Sequence, residues 1–246
     1  MSFKYILSVD LGQLHDYTAM AVLEEKLLVM ERSDINLMNM KLAGRQKIKA
    51  ASVYHCIHLE RIPLGTSYPD VIRRIGGLMN NPELVNETIL LMDQTSVGRP
   101  VVEMAREKGL APIGITITGG RERKVSEDGY HVPKREIIIE LVKLFQSSRL
   151  IISDKLPFAK DLVKELINFR MKISKTGRDT YEAWRDEDKD DLVLALAMAA
   201  WFAAITGGAE ERILKLSPKK KIDWDPLAWD DEDEEPPFNP MGINRN

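Results

Sequence analysis

Three places in this 246-residue sequence carry acids where acids are expensive. Asp10 ends the apolar run at 5–9 in "YILSVDLG", and Asp93 ends the run at 89–92 in "ETILLMDQ". The adjacent pair Asp190-Asp191 closes the charged stretch "DEDKDD" and opens fourteen uncharged residues, 192–205. A carboxylate inside an apolar run is costly unless it lies at an edge or shares a cation. Carboxylates gathered in one place repel each other. Hard divalent cations such as Mg²⁺ or Mn²⁺, which take oxygen ligands, relieve that repulsion. Two such ions about 3.5–4 Å apart can activate water and stabilise the leaving oxygen of a phosphodiester. The pair at 190–191 has a simpler role open to it as well. Acids at a helix start are favoured by the macrodipole, each by roughly 0.3–1 kcal/mol.

The elements that must bring these acids together can be read from periodicity. "YILSVDLG" reads as a buried strand, "YTAMAVLEE" as its antiparallel partner, and "VYHCIHLERIPL" as a third strand of a meander. Residues 25–52 read as irregular. The rhythm then changes to alternation. "SYPDVIRRIGGLMNN" is helical, "ETILLMDQ" a strand, "SVGRPVVEMAREKG" a helix closed by Gly109, and "APIGITITG" a strand. Residues 119–131 are basic and Gly-flanked, a mobile loop or hairpin. "PKREIIIELVKLFQSS" is an amphipathic helix with Pro133 suited to its first turn. "RLIIS" is a short strand, "PFAKDLVKELINFRM" a helix, and "KISKTGRDTYEAW" an edge hairpin around Gly177. The apolar stretch 192–205 supplies the last helix, stopped by Gly207-Gly208.

A meander followed by strand–helix alternation predicts one α/β domain around a mixed central sheet flanked by helices, spanning 1–208. In open α/β sheets, ligands bind beyond the carboxyl ends of the strands. If the strands of Asp10 and Asp93 are neighbours, the two acids face each other there. The last helix then needs only to bring Asp190 or Asp191 alongside.

Composition narrows the classes. Apolar residues make up 44% and charged residues 30%, ordinary for a globular chain with a sizeable core. The single cysteine, Cys56, excludes an intrachain disulfide and a cysteine-based zinc site. His55 and His58 flank it in a strand-like run and read as packing residues. The longest uncharged stretch is too short to span a bilayer, which takes about 20 residues. No leader-like segment opens the sequence, so it reads as cytosolic, with no membrane partner. Residues 222–246 hold eight acids and one base, against 34 bases and 30 acids before them. A mildly basic body with an acidic tail at 209–246, expected to be disordered, suits a domain that meets a polyanion.

In this order, "SVDLGQLHDYTAMAVLE", "HLERIPLGTSYPDVIRRI", "ILLMDQTSVGRPVVEMAREKGL", "VPKREIIIELVKLF" and "YEAWRDEDKDDLVLALAMAAW" resemble the C-terminal nuclease domain of phage terminase large subunits. The most specific parts are the strand-D-Q-T-x-x-G stretch and the D-D-L-V-x-A-L-A-x-A helix. The resemblance implies an RNase H-like fold and a metal-dependent endonuclease that cuts double-stranded DNA with Mg²⁺ or Mn²⁺. It implies cytoplasmic action in a bacterial host if the chain is phage-encoded, and 5′-phosphate and 3′-hydroxyl ends. Carried over, Asp10, Asp93 and Asp191 would be metal ligands, with Asp190 beside them. Which of the pair ligates more closely stays open. Lys134 would approach a phosphate or the attacking water, or decorate its helix start. Asp16 matches a recurrent family aspartate or forms a turn. Arg121, Arg123 and Lys124 would meet the DNA backbone or form a solvated loop. The sequence has no G-x-x-x-x-G-K-[ST]. The resemblance therefore implies a separated nuclease domain, a split-gene subunit or a domesticated relative, with a packaging ATPase and portal as separate partners. Alternatives are a four-way-junction resolvase or strand-transfer enzyme of the same fold, an actin-like ATPase, and a non-catalytic scaffold.

Overall fold

The computed structural model describes residues 3–12, 16–30, 47–95, 98–173, 179–183, 189–206 and 212–215. Eleven strands and five helices lie in this set. The meander comes first: β1 (Tyr5–Asp10), β2 (Thr18–Met30) and β3 (Lys47–Ile62) pair antiparallel in sequence order. Both β2 and β3 reach well into the stretch read as irregular from sequence. Residues 26–30 continue β2, and 47–52 open β3, pairing with each other as Lys26↔Val53 through Met30↔Lys49. Lys26, Lys47 and Lys49 broke the apolar alternation, but ladder pairing holds these segments in the sheet.

Helix α1 (Tyr68–Met79) follows, with Ser67 accepting the Asp70 amide at its start. Strand β4 (Thr88–Asp93) lies parallel to β1, and β5 (Ile113–Thr118) parallel to β4, with α2 (Gly98–Glu107) between them in sequence. The basic segment is a hairpin of β6 (Lys124–Ser126) and β7 (Gly129–Pro133), and β7 lies parallel to β5. Gly129 has φ 142° and sits against the Gly114 carbonyl, where a Cβ would collide. Then come α3 (Lys134–Gln146), β8 (Leu150–Ile152), α4 (Ala159–Asn168), the pair β9 (Phe169–Ile173) and β10 (Asp179–Ala183), and α5 (Asp191–Ile205). The main sheet runs β11-β3-β2-β1-β4-β5-β7-β6, with β8 also paired to β3.

Two expected boundaries move. Residues 169–171, read as the end of a helix, belong to β9, which forms the predicted hairpin with β10. Residues Arg212–Lys215 (β11), inside the stretch expected to be a disordered tail, pair antiparallel with Lys47–Ala50. His15, Gly177, Gly207-Gly208 and the acidic residues of the tail lie outside the described residues. Among the described residues no helix is long and apolar enough to cross a membrane.

The core has two halves, one on each face of the sheet. Tyr5, Leu7 and Val9 of β1 and Leu90 and Met92 of β4 pack with α1 and α2. Ile6 of β1 and Leu91 of β4 face the other way, toward α3, α4 and α5. Alternation along a strand puts Asp10 on the face of Ile6 and Ser8, and Asp93 on the face of Leu91. Helix α5 is apolar all round and buried along almost its whole length, as such a helix must be. Its small residues let it lie close to β1, where Ser8 Oγ donates to the Ala195 carbonyl at 2.5 Å.

Candidate active site

Asp10 and Asp93 end adjacent parallel strands, one position beyond the paired residues Val9 and Met92. Both side chains point to the face that α5 covers. Asp191 is the first residue of α5 and Asp190 its N-cap residue. Asp10, Asp93 and Asp191 are 8, 8 and 5% exposed, so all three carboxylates are held out of water.

Burial pushes Asp10 well above the usual carboxylate range, and the charges of Asp93, Asp191 and Asp190 push the same way. Burial likewise raises Asp93, while hydrogen bonds from Thr95 and Asp10 pull it back. Asp191 is raised to about 6 by burial, against the pull of the Arg61 guanidinium. Lys134 lowers both Asp10 and Asp93 through its charge.

The D-Q-T-x-x-G stretch acts as a clamp. Thr95 donates to Asp93 Oδ1 from its backbone N–H at 2.8 Å and from its hydroxyl at 2.5 Å. The same hydroxyl accepts the Ile117 amide at 2.8 Å, tying the carboxylate to β5. Gly98 opens α2 against the Asp93 carbonyl oxygen, where a Cβ would collide. The glycine is required by close approach.

The start of α5 is capped from outside. Asp190 makes no side-chain cap bond. Glu165 of α4, 6% exposed, instead accepts the Leu192 and Val193 amides with Oε2, at 3.0 and 3.1 Å. Its other oxygen receives the Arg61 guanidinium. Arg61 also stands 3.5 Å from Asp191 Oδ2 and lies over the Tyr17 ring. Asp190 pairs with Lys134 Nζ at 3.1 Å. Glu165 is raised to about 7 by burial, with Arg61 and the two amides opposing.

The fold brings the candidate residues Asp10, Asp93, Asp190, Asp191 and Lys134 from four elements within electrostatic reach of one another. Asp16 is exposed and pairs with Lys189 at 3.3 Å at the margin of the group. Arg121, Arg123 and Lys124 are exposed on the hairpin. Arg123 bonds Glu136 at 3.2 Å, and Glu136 also accepts the Trp201 indole N–H at 2.8 Å. Thr95, Arg61 and Glu165 were missed. Thr95 had a signal, its place two residues after Asp93. Arg61 and Glu165 had none, because each reads as an ordinary charge on its own element.

A divalent cation is the group these residues imply. The donors are all carboxylate oxygens, the set that Mg²⁺ and Mn²⁺ take. Asp191 Oδ2 is buried and makes no hydrogen bond, with the Arg61 guanidinium beside it at 3.5 Å. Among the described residues no three His, Cys, Asp or Glu side chains stand drawn together as a closed metal cage. In charge and donor type the residues fit.

An antiparallel meander joined to parallel strands, with acids at the β1 and β4 ends and on a facing helix, defines an RNase H-like α/β architecture. Solved structures share it. The large terminase nuclease from thermophilic phage G20c matches with a TM-score of 0.51 at 20% identity, over 80% of this chain and 81% of that one. The same nuclease with bound magnesium gives 0.52 at 21%, over 80% of each chain. The large terminase nuclease domain of Thermus phage P74-26 gives 0.51 at 20%, over 80% of this chain and 78% of that one. No family model and no curated protein matches the chain. The chain therefore has the fold of large terminase nuclease domains.

Proposed function

We propose that this chain is a metal-dependent DNA endonuclease of the large-terminase type. One observation carries the reading: Asp10 and Asp93 end adjacent strands on one face, and α5 brings Asp191, with a buried unsatisfied oxygen, to the same corner. Structures of the fold neighbour with bound magnesium and with bound cobalt support a divalent ion. Asp10, Asp93 and Asp191 would hold it, with Asp190 adjoining. Two Mg²⁺ or Mn²⁺ ions, when bound, would neutralise the carboxylates, activate water and stabilise the leaving oxygen of an in-line phosphodiester hydrolysis.

The chain's own residues do the rest. Thr95 fixes the Asp93 carboxylate so that it meets its ligand in one orientation. Lys134 Nζ pairs with Asp190 at 3.1 Å, and its side chain is 24% exposed. It is the cation placed to meet a scissile phosphate oxygen when the Asp190 pairing loosens. Arg121 and Lys124 project from the hairpin into solvent, suited to backbone phosphates of a duplex. Among the described residues no base-reading helix accompanies them, so the expected cleavage has little sequence preference. Packaging would require an ATPase and portal as separate partners.

The test is cleavage of supercoiled plasmid with Mn²⁺, Mg²⁺ or EDTA by wild type and Asp93→Ala. Nicking or linearisation that needs the metal and vanishes in the variant is the expected result. An intact plasmid with either metal, or equal cutting by the variant, overturns the reading. ATP turnover without DNA would then favour the ATPase alternative.

A further inference from the structure

We infer that Glu165 and Arg61 are positioning residues that cap α5 from outside and so free Asp190 and Asp191 to serve the candidate metal site. The role rests on the nuclease reading for its purpose, but its geometry stands apart from it.

A helix start leaves amides without partners, and the usual remedy is the side chain of the N-cap residue. Asp190 occupies that position and does not use it. Its carboxylate goes to Lys134 instead. The amides of Leu192 and Val193 both go to one oxygen of Glu165, which comes from a different helix. A carboxylate buried to this degree needs a counter-charge, and Arg61 from the end of β3 supplies it. The result is a three-element joint of β3, α4 and α5. It fixes the rotation of α5 about its axis at the residue next to Asp191. Rotation matters because α5 is apolar on every side, so packing alone selects a rotation weakly. Arg61 further lies 3.5 Å from Asp191 Oδ2, so the same guanidinium that engages Glu165 also stands beside that carboxylate.

Glu165→Gln keeps the shape and one oxygen for the two amides, and turns an uncharged NH₂ donor toward Arg61 in place of the carboxylate oxygen it pairs with. Glu165→Asp keeps the charge and shortens the reach. Two readouts separate positioning from bulk stability, both taken where thermal melts show the variants folded. The first is Mn²⁺ affinity by titration of free Mn²⁺ in electron paramagnetic resonance, without DNA. The second is hydrogen exchange at the Leu192 and Val193 amides. Loss of a partner that orients a ligand costs about 10–100-fold in metal affinity. We expect a loss of about tenfold at the low end of that range for both variants, with exchange faster at 192 and 193 and unchanged in β1 and β4. Wild-type Mn²⁺ affinity, or wild-type protection at 192 and 193, in whichever variant folds, overturns the role. The two readings fail separately. If the wild type binds Mn²⁺ and cuts no plasmid, the nuclease reading falls, and the positioning role is decided by the variants' Mn²⁺ affinity and exchange. If the wild type cuts plasmid and the variants bind Mn²⁺ as tightly as it does, the positioning role falls alone.

Discussion

The strand-end corner and the basic hairpin lie at the same side of one sheet, and the fold treats their charges in opposite ways. At the corner the charged groups are buried or half-buried, and most have a partner. Asp93 has Thr95, Asp190 has Lys134, and Glu165 has Arg61 and two amides. On the hairpin, Arg121 and Lys124 stand in solvent, and only Arg123 is tied down, to Glu136 beside Trp201. Burial makes a charge depend on its neighbours, so the corner has one arrangement to keep. Exposure leaves a charge cheap and adaptable, which suits contact with a polymer of variable shape.

The sharpest way to break this contrast is to exchange the expected losses. Asp10→Ala and Asp191→Ala should each lower plasmid nicking by more than about 100-fold, beyond what loss of an outer partner costs. Arg121→Ala combined with Lys124→Ala should retain nicking at saturating DNA. Equal losses in both sets would end the distinction.

A second test uses the corner's buried acids. Asp191 at about 6 and Glu165 at about 7 lie above their ordinary values. Between the ordinary and the raised values the folded chain binds more protons than the unfolded one. Stability therefore falls as pH rises through that window. Without metal, the urea midpoint should be higher at pH 5.5 than at pH 7.5. Saturating Mn²⁺ should reverse that order, because the ion binds the ionised acids. A flat profile in both conditions would mean that the corner's acids do not titrate with folding.

A smaller effect belongs to the hairpin. The double Arg121→Ala, Lys124→Ala variant should bind duplex DNA more weakly at all sequences, with the salt dependence reduced by a slope of about 2. A changed sequence preference would instead assign these residues to base reading. The smallest effect is a control on burial itself. The Cys56 thiol is pushed up to about 12, so it should stay unreacted with a thiol reagent at pH 8 until urea unfolds the chain.

The sequence by itself determined the elements and the ligand candidates. Apolar runs that stop at Asp10 and Asp93, and a helix without charge after Asp191, follow from local pattern, because burial cost is written into residue type. It also showed the clamp indirectly, since Thr95 and Gly98 lie within five residues of Asp93. Local pattern failed at 26–30 and 47–52, where Lys26, Lys47 and Lys49 interrupt strands that sheet pairing holds in place. Tertiary structure alone decided which acids ionise against which cations. Arg61 and Glu165 lie 104 positions apart and meet only because β3 and α4 both approach the start of α5. A long-range ion pair leaves no periodicity in either segment, so no reading of one segment could have found it.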